Sequence, residues 1–512
     1  MTMTAVLRSI IMEITDQSRI SLIMPGAKAS LQMRWRSVTD EQGHKHLRAA
    51  WALLFMILLA TVSLFAQTAT PPLPAPDAHT SMNDGTPPDS PSMFSHPDSR
   101  WWISGQMNFI TQWNPPFTEK YSGPNSFRNG YDKALSRVAT LFTGVRLNSS
   151  NELLFDVEET GGTGLSDALG IAGFTNLDVV RNPTLSKSPY IARGIFHKVF
   201  ALSEDKVEAE RTPLSLFTEL PRRRLELRVG KFGTADFFDL NSAGTDSHFQ
   251  FMNWSVDNNG AYDYPADTRG YTVGAMLDYE DRSWGLRAAE LLMPTVANGI
   301  DLEWNLRKAH GESLEFEVRK NFLPGKPGVV RLLGYSNVAN MGIYRVQNER
   351  FVEGLDPVPD ITNHPLQQTR KYGFGFNFEQ AISSNVKAFG RFGWNNGKTE
   401  SYAYTEVDQT VEAGIALYGP KWHRKYDRAG VVFVSNGIAA DHQFYLAHGG
   451  VGFILGDGGL TYGRENILES YYNAHLWRGL YEGVDLQHVF NPGYNRERGP
   501  ALIAGIRFHV EF

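Results

Sequence analysis

Residues 501–512 read ALIAGIRFHVEF and form the clearest structural pattern in the chain. From Leu502 onward the even-numbered positions carry leucine, alanine, isoleucine, phenylalanine and valine. The odd-numbered positions from Gly505 to Glu511 carry glycine, arginine, histidine and glutamate. A repeat of two residues is the period of a β-strand, whose successive side chains point to opposite faces. The stretch therefore predicts a strand with one apolar face and one polar face.

The same alternation recurs along most of the chain. Apolar and polar positions alternate in runs of about 8 to 11 residues, which is close to the length at which a tilted strand crosses a bilayer. These runs predict a protein built mainly of β-strands. Within these runs the alternation is clearest, upstream of the C-terminus, at residues 153–157, 225–229, 300–306, 314–318 and 372–378.

Two kinds of all-β protein show such alternation. A soluble β-sandwich alternates because one face of each sheet covers a core. A membrane barrel is favoured here because the polar face carries glycine and charges of both signs, as a water-filled lumen would. Phe512 adds to this interpretation, since a terminal aromatic residue is typical of outer-membrane barrels. We therefore predict an all-β fold, a transmembrane antiparallel β-barrel of the outer-membrane porin type, for which the length of the chain suits roughly 14 to 18 strands.

An export signal precedes the strands. Residues 49–66 read AAWALLFMILLATVSLFA without a charge, and Lys45 and Arg48 stand before them. A basic start, an apolar middle and a small-residue end predict a secretory signal peptide over residues 47–66. An N-terminal membrane anchor is the alternative, because the apolar run is close to the minimum length for spanning a bilayer.

The remaining N-terminal segments show no strand pattern. Residues 1–46 are polar and without periodicity, and we expect an over-extended reading frame, with translation starting at Met33. Residues 67–98 are rich in proline and serine, which predicts a disordered tether. Residues 99–512 are then the barrel domain.

Composition excludes several classes of function. The 512 residues carry a net charge of -6 and contain no cysteine. The charge gives no reason to expect a nucleic-acid partner. The missing thiols exclude disulfides and cysteine-bound metal, and they fit a chain that passes through an oxidising compartment.

Short motifs in the alternating region resemble those of one family. They are DLQHVFNPGYN at residues 485–495, FGRFGW at 389–394, HQFYLAHGG at 442–450 and VGKF at 229–232. On these motifs the chain from Trp101 to Phe512 resembles the carbohydrate-selective porin (OprB) family. The resemblance implies a 16-stranded barrel in the outer membrane of a Gram-negative bacterium, through which sugars diffuse inward.

A passive channel of this kind implies neither an enzymatic activity nor a cofactor. Its expected partners are mono- or small oligosaccharides, outer-membrane lipid and lipopolysaccharide, and the barrel-assembly machinery. The sequence leaves open whether it is a monomer or a homotrimer. Arginine and carboxylate side chains could form charge-assisted hydrogen bonds with sugar hydroxyls, and aromatic rings could cover the apolar C–H face of a sugar.

The alternation also selects lumen residues, because they lie opposite apolar neighbours on the predicted strands. The alternative is that these residues solvate the wall or pair with each other across strands. The predicted substrate-contact candidates are Arg146, Glu226, Arg228, Arg287, Asp301, Glu303, Arg319, Lys387, Arg391, Asp485, Gln487 and Arg507.

A long loop folded into the barrel could narrow the channel. The predicted long loops are residues 161–189, 241–267, 348–368 and 419–427, and the sequence leaves open which of them enters the barrel. Candidates for a surface on which a sugar could stack are Phe237–Phe238, Trp254 and Tyr262–Tyr264. Packing within the loop is the alternative role of these aromatic residues.

Two other functions remain as alternatives. One is a barrel-based outer-membrane hydrolase, in which His442 near Asp441 or His423 near Asp427 would serve as a catalytic pair. The length of the chain argues against it, because such enzymes have narrow, filled barrels. The other is a structural or adhesin barrel that is linked to the cell wall through the tether.

Overall fold

The computed structural model describes most of the chain after Pro91. The predictions made for residues 1–46, for the signal peptide at 47–66 and for nearly all of the tether at 67–98 lie outside the described residues. In the N-terminal region only Arg19–Ile20 and Met33–Arg34 are described, and they pair antiparallel. The further described residues are 92–96, 98–179, 185 and 188–512.

Sixteen strands of the described chain close into one antiparallel barrel, which confirms the predicted fold class. Each strand pairs with its neighbour in sequence, and the last strand pairs with the first. A barrel of this size leaves an aqueous lumen, whereas eight strands would enclose only side chains. In chain order the strands are β1 (Trp101–Asn114), β2 (Asp132–Asn148), β3 (Asn151–Gly162), β4 (Tyr190–Ala201), β5 (Arg224–Phe232), β6 (Thr272–Glu280), β7 (Trp284–Leu291), β8 (His310–Leu323), β9 (Lys326–Ala339), β10 (Thr369–Ser383), β11 (Val386–Asn395), β12 (Gln409–Tyr418), β13 (Arg428–Gly437), β14 (Glu465–Trp477), β15 (Leu480–Phe490) and β16 (Ala501–Glu511).

The two faces of the barrel follow the alternation in the sequence. On β15, Val484 and Leu486 are 50% and 45% exposed, whereas Asp485 and Gln487 between them are buried. The exposed apolar side chains face outward, where lipid replaces water as the solvent. The polar side chains face the lumen, because charges on the lipid side are costly at the middle of the bilayer.

The two ends of the barrel differ in the length of their connections. At one end, where both chain termini of the barrel also lie, five connections have only two or three residues. Longer connections join the strands at the other end. Short turns are typical of the periplasmic side and long loops of the extracellular side. Residues 202–223 are a longer periplasmic connection, in which Lys206–Glu208 pairs with Glu219–Pro221.

The C-terminus takes part in closing the barrel. Phe512 N donates to Gly105 O at 2.9 Å, and Gly105 N donates to Phe512 O at 2.6 Å, so the backbone ladder between β16 and β1 continues to the last residue. A Cβ atom on Gly105 would lie 2.7 Å from the Phe512 ring. Glycine at this position therefore leaves room for the terminal ring.

Helices in the described chain are confined to the connections, and none is long and apolar enough to cross a membrane. Two of them pack together at the extracellular end, where the Tyr344 ring stacks on His442 with 4.2 Å between centroids. The α-helices are α1 (Trp254–Asp257), α2 (Tyr344–Val352) and α3 (Ala440–Ala447), and the 3-10 turns are Leu165–Asp167, Thr234–Asp236, Gly419–Trp422 and Pro492–Tyr494.

The strand predicted at residues 300–306 is wrong. These residues belong to the connection between β7 and β8, which pair directly with each other from Leu291 and Gly311 onward. Asp301 and Glu303 therefore do not face the lumen from a strand. Alternation reports an extended backbone, but a strand also needs a partner ladder. Here only one isolated bridge forms, between Pro294 and Leu302, and the hydrogen bonds from Thr295 N to Asp301 O and from Glu303 N to Met293 O flank it.

Candidate functional site

Residues 233–271, which join β5 to β6, enter the lumen and are called the inserted loop below. They contain the segment at 241–267, which is one of the four long loops that the sequence predicted. On one side of the lumen Tyr262 bonds through its hydroxyl to Ser313 Oγ of β8 at 2.7 Å. On the opposite side Asn253 Nδ2 donates to Gln487 Oε1 of β15 at 3.0 Å. The loop therefore crosses the channel and narrows it.

Two buried wall arginines hold the inserted loop. Arg391 donates to Val256 O at 2.7 Å and forms an ion pair with Asp239 at 3.0 Å, while Glu412 of the wall lies 3.1 Å from the same guanidinium. Arg507 donates to the carbonyl oxygens of Ser247 and Gln250. Each guanidinium satisfies backbone carbonyls that would otherwise be buried without a partner. Both arginines are thus occupied in anchoring the loop.

A cavity of about 170 Å³ remains between the inserted loop and the wall formed by β1 to β4. Charged and aromatic side chains share its lining, and this combination is suited to a polar ligand that also has an apolar face. The charged and aromatic residues that line it are Glu158, Asp178, Tyr190, Arg193, Asp236, Asp246, His248, Trp254, Asp257, Tyr264, Arg269 and Tyr271.

Two carboxylates hold Arg193 in place on the lining of this cavity. Its Nε and Nη2 atoms donate to Asp236 at 2.7 and 2.6 Å, and its Nη1 donates to Asp156 at 3.2 Å. A bidentate arginine–carboxylate pair is both strong and directional. Asp236 also accepts from Gly233 N at 2.9 Å, so the start of the inserted loop is locked to the wall.

Aromatic rings and charges alternate on the next part of the lining. The Arg269 guanidinium lies 3.7 Å from the centroid of the Tyr190 ring, a cation–π arrangement. Tyr271 donates through its hydroxyl to Glu158 at 3.0 Å, and Tyr190 donates to the same carboxylate. The aromatic faces are therefore held in place by a carboxylate of the wall.

Two carboxyl groups of the lumen loops differ in their protonation. Burial raises the pKa of Asp257 to about 7, although the Arg391 guanidinium opposes this shift. Burial also acts to raise the pKa of Asp178, but His248 outweighs it and the pKa ends below its usual value. Burial acts to lower the pKa of His248, yet the Asp178 carboxylate at 3.3 Å leaves that pKa raised. Asp178 and His248 therefore form an ion pair on the lining, whereas Asp257 titrates near neutral pH.

Four of the predicted lumen candidates lie in an ionic network on the wall. Arg228 donates to Glu226 at 2.6 Å, and Arg287 donates to Glu315 at 2.8 Å. Arg319 pairs with Glu280 and Glu317. Arg287 and Arg319 thus pair across strands, which was the alternative interpretation of the candidates, whereas Arg228 and Glu226 pair within β5.

The remaining candidates are spread over three places. Arg146 lies at the periplasmic end, where it pairs with Asp98 at 3.1 Å. Asp485 accepts from Gln487 beside the anchor of the inserted loop, and Lys387 pairs with Glu379. Contact with a substrate stays a prediction for all the candidates on strands.

Three of the candidates line a second cavity of about 40 Å³, below the inserted loop and next to residues 202–223. They are Glu226, Arg228 and Arg287. The Arg228 guanidinium lies 5.0 Å from the Phe237 ring centroid, so this predicted stacking residue packs against the wall. Of the other predicted stacking residues, Trp254 and Tyr264 line the larger cavity, whereas Phe238 and Tyr262 are buried.

The sequence analysis missed Tyr190 and Arg193, both of which line the larger cavity. They stand three residues apart, so a regular strand would place them on opposite faces. The register between β3 and β4 shifts here, because Asp156 pairs with Arg193 and Val157 pairs with Ile191. Ala192 is thus the extra residue of a β-bulge, which turns both side chains inward. A period-two pattern cannot show such a bulge.

Comparison with known proteins identifies the family. Residues 125–512 match the family model described as carbohydrate-selective porin, OprB family. The chain belongs to this porin family. It is accordingly an integral β-barrel of the outer membrane of a Gram-negative bacterium. Porins are channels rather than enzymes. His442, which was considered as half of a catalytic pair with Asp441, lies buried between Glu406 and Asp408 in this porin.

Solved structures share the fold of this porin. The chain is similar to OprB of Pseudomonas putida in its high-pH structure, with a TM-score of 0.61, 15% identity, and coverage of 80% of this chain and 94% of that chain. For the low-pH structure of the same protein the TM-score is 0.44 and the identity 12%, with coverage of 80% of this chain and 92% of that chain. For the outer membrane channel DcaP of Acinetobacter baumannii the TM-score is 0.43 and the identity 10%, with coverage of 80% of this chain and 97% of that chain. No curated protein sequence matches the chain.

Proposed function

We propose that the protein lets small sugars diffuse passively through its lumen into the periplasm, with selectivity for carbohydrates. The observation that carries this proposal is the cavity beside the inserted loop, in which Arg193, Asp236 and Arg269 stand close to the rings of Tyr190 and Tyr271. Membership of the porin family supports it. The inserted loop brings these groups together at the narrowed part of the channel.

Each type of group in the lining has a role in carrying a sugar. A sugar that enters the narrow part loses some of its water, and fixed charges replace the lost hydrogen bonds to its hydroxyls. The faces of the rings cover the apolar C–H face of a pyranose. Arg193 and Asp236 are already paired, so each offers the sugar only its remaining donors or lone pairs.

Weak binding is essential to this mechanism. A sugar that bound tightly would block the channel, since conduction requires release as well as entry. A dissociation constant between high micromolar and millimolar corresponds to only about -4 to -6 kcal/mol. Because the gradient alone drives the flow, no residue needs to act as a nucleophile or to bind a nucleotide.

The test is a single-channel recording in a planar bilayer with a panel of mono- and disaccharides. We expect millimolar sugar to reduce the wild-type current, and Arg269→Ala to weaken this block severalfold. Arg269 is only partly buried on the inserted loop, so its loss should leave the barrel intact. The matched control is Arg282→Ala, which removes an arginine from the turn between β6 and β7. Sugar should reduce the current through this variant as much as through the wild type. If no sugar changes the wild-type conductance, selectivity for carbohydrates is excluded while the channel itself stands.

We further propose that the barrel-assembly machinery recognises the C-terminal strand and that lipid and lipopolysaccharide contact the outer face. The backbone pairing of Phe512 with Gly105 and the room that this glycine leaves for the aromatic ring support the first point. The exposed apolar side chains that alternate along the strands support the second, as for Val484 and Leu486.

A further inference from the structure

Three possible metal ligands gather on the outer face of the barrel, away from the lumen. They are Glu290 of β7 and His310 and Glu312 of β8, and their ligand atoms all lie within 4.8 Å of one another. Glu290 lies between Ala289 and Leu291, which are buried and face inward. The cluster therefore faces outward.

The topology shows at which end of the barrel this cluster lies. β7 ends at Leu291 and β8 begins at His310, so the cluster lies at the rim from which the long loops emerge. Residues here stand above the apolar band that contacts lipid tails, where charged side chains cost little to expose. Ions in the medium can therefore reach the cluster.

The two carboxylates stand opposite each other without a compensating cation. Glu290 and Glu312 are direct partners in the ladder between β7 and β8, and like charges in such positions destabilise a sheet. Their partners on the far sides are Ala275 of β6 and Ser336 of β9. In the described part of the chain, no lysine or arginine forms an ion pair with either carboxylate.

The nearest guanidinium in the ladder is directed elsewhere. Arg370 of β10 donates through Nη1 to Ser336 Oγ at 2.6 Å, on the strand beyond Glu312. This hydrogen bond joins Arg370 to a serine and not to either glutamate.

A backbone carbonyl holds the ring of His310 in one tautomer. Its Nδ1 atom lies 2.7 Å from Leu306 O, and a carbonyl can only accept, so Nδ1 carries the proton. The lone pair of the neutral ring is then on Nε2. A ligand histidine commonly has its other nitrogen bonded to a carbonyl in this way, which fixes the tautomer and the direction of the ring.

We infer that Glu290, His310 and Glu312 form a binding site for a divalent transition metal ion of the zinc class. One imidazole and two carboxylates are a ligand set that zinc accepts, with the remaining position open to water. Zinc–ligand distances of about 2.0 to 2.2 Å require the three side chains to draw together, which exposed and half-buried side chains at a rim can do by rotation. The inference is independent of the proposed sugar transport, because all three side chains face away from the lumen.

Isothermal titration calorimetry with zinc chloride tests the inference on the mature full-length protein in detergent, without a histidine tag. We expect one zinc ion to bind per chain with a dissociation constant in the micromolar range. His310→Ala and Glu290→Gln should each weaken binding at least tenfold. Glu290 is exposed, so its variant should fold like the wild type, which the heat-modified migration of the barrel in gels would verify.

His488→Ala is the matched control. His488 also faces outward near the extracellular end of its strand, but its partners in the ladder are Leu468 and Leu502. This variant should bind zinc like the wild type, and none of the three variants should change single-channel conductance. The inference is overturned if the wild type binds no zinc in a saturable manner, or if His310→Ala and Glu290→Gln bind it with unchanged affinity.

Discussion

Replacing Arg391 by alanine should release the inserted loop from the barrel wall. The guanidinium is fully buried and donates to Val256 O at 2.7 Å and Asp257 O at 3.1 Å. It also pairs with Asp239 of the loop segment and Glu412 of β12. Alanine would leave both carboxylates buried without their cation and both carbonyls without this donor.

The size of the effect follows from these contacts. Removing one partner of a buried ion pair costs about 3 to 5 kcal/mol, mostly because the other charge remains buried. At about 1.4 kcal/mol per factor of ten, the open state of the loop should become roughly a hundred to a few thousand times more populated. The barrel strands should be affected much less, because their ladders do not depend on this side chain.

Hydrogen–deuterium exchange measured by mass spectrometry on the protein in detergent reports this opening. Amides of residues 233–271 should exchange faster in Arg391→Ala, while those of β11 and β12 keep their protection. In planar bilayers the same variant should show larger current fluctuations, because a mobile loop changes the width of the channel.

Arg331→Ala is the matched control for this experiment. Arg331 is also buried in the wall and pairs with Glu317 and Glu379, and it is linked to the inserted loop indirectly, through Glu379, which accepts from Ser242 Oγ. Its loss should therefore raise exchange of the loop amides much less than the loss of Arg391. Unchanged loop protection in Arg391→Ala, or equal loss of protection in both variants, would refute the anchoring role.

Three further changes test other parts of the structure. Gly105→Val should reduce the yield of assembled barrel in outer-membrane fractions, because its Cβ would lie 2.7 Å from the Phe512 ring; normal assembly would contradict this role of the glycine. Gly393→Ala should lower the protection of the inserted loop in hydrogen exchange, because the new Cβ would lie 1.9 Å from Asn259 Oδ1, and wild-type exchange would show that the loop can adjust. Because burial raises the pKa of Asp257 to about 7, its carboxyl gains its charge as pH rises from 5 to 8, so cation preference measured by reversal potential in a KCl gradient should increase over this range. Asp257→Asn should reduce that increase, and an identical pH profile in the variant would argue against the assigned titration.

Much of the barrel follows from local patterns in the sequence. The period of two residues in 501–512 and in the earlier runs predicts strands, because side chains on a pleated chain must alternate between two environments. Lipid on one side and water on the other enforce that alternation, so the faces of Asp485 and Arg391 could be assigned without a structure. A long loop at 241–267 was predictable for a similar reason, since no strand pattern crosses it, but its path into the lumen was not.

Tertiary structure alone decided how these parts meet. The alternating residues 300–306 became a loop, since β7 and β8 pair with each other and leave no ladder for them. The bulge at Ala192 brought Tyr190 and Arg193 to the same cavity, although their spacing assigns them to opposite faces. The use of Arg391 as an anchor depended on where Val256 and Asp239 lie, more than a hundred residues away in sequence. Alternation gives the side of a strand on which a residue lies, but the groups it contacts depend on register and on loop paths, which arise only when distant segments pack together.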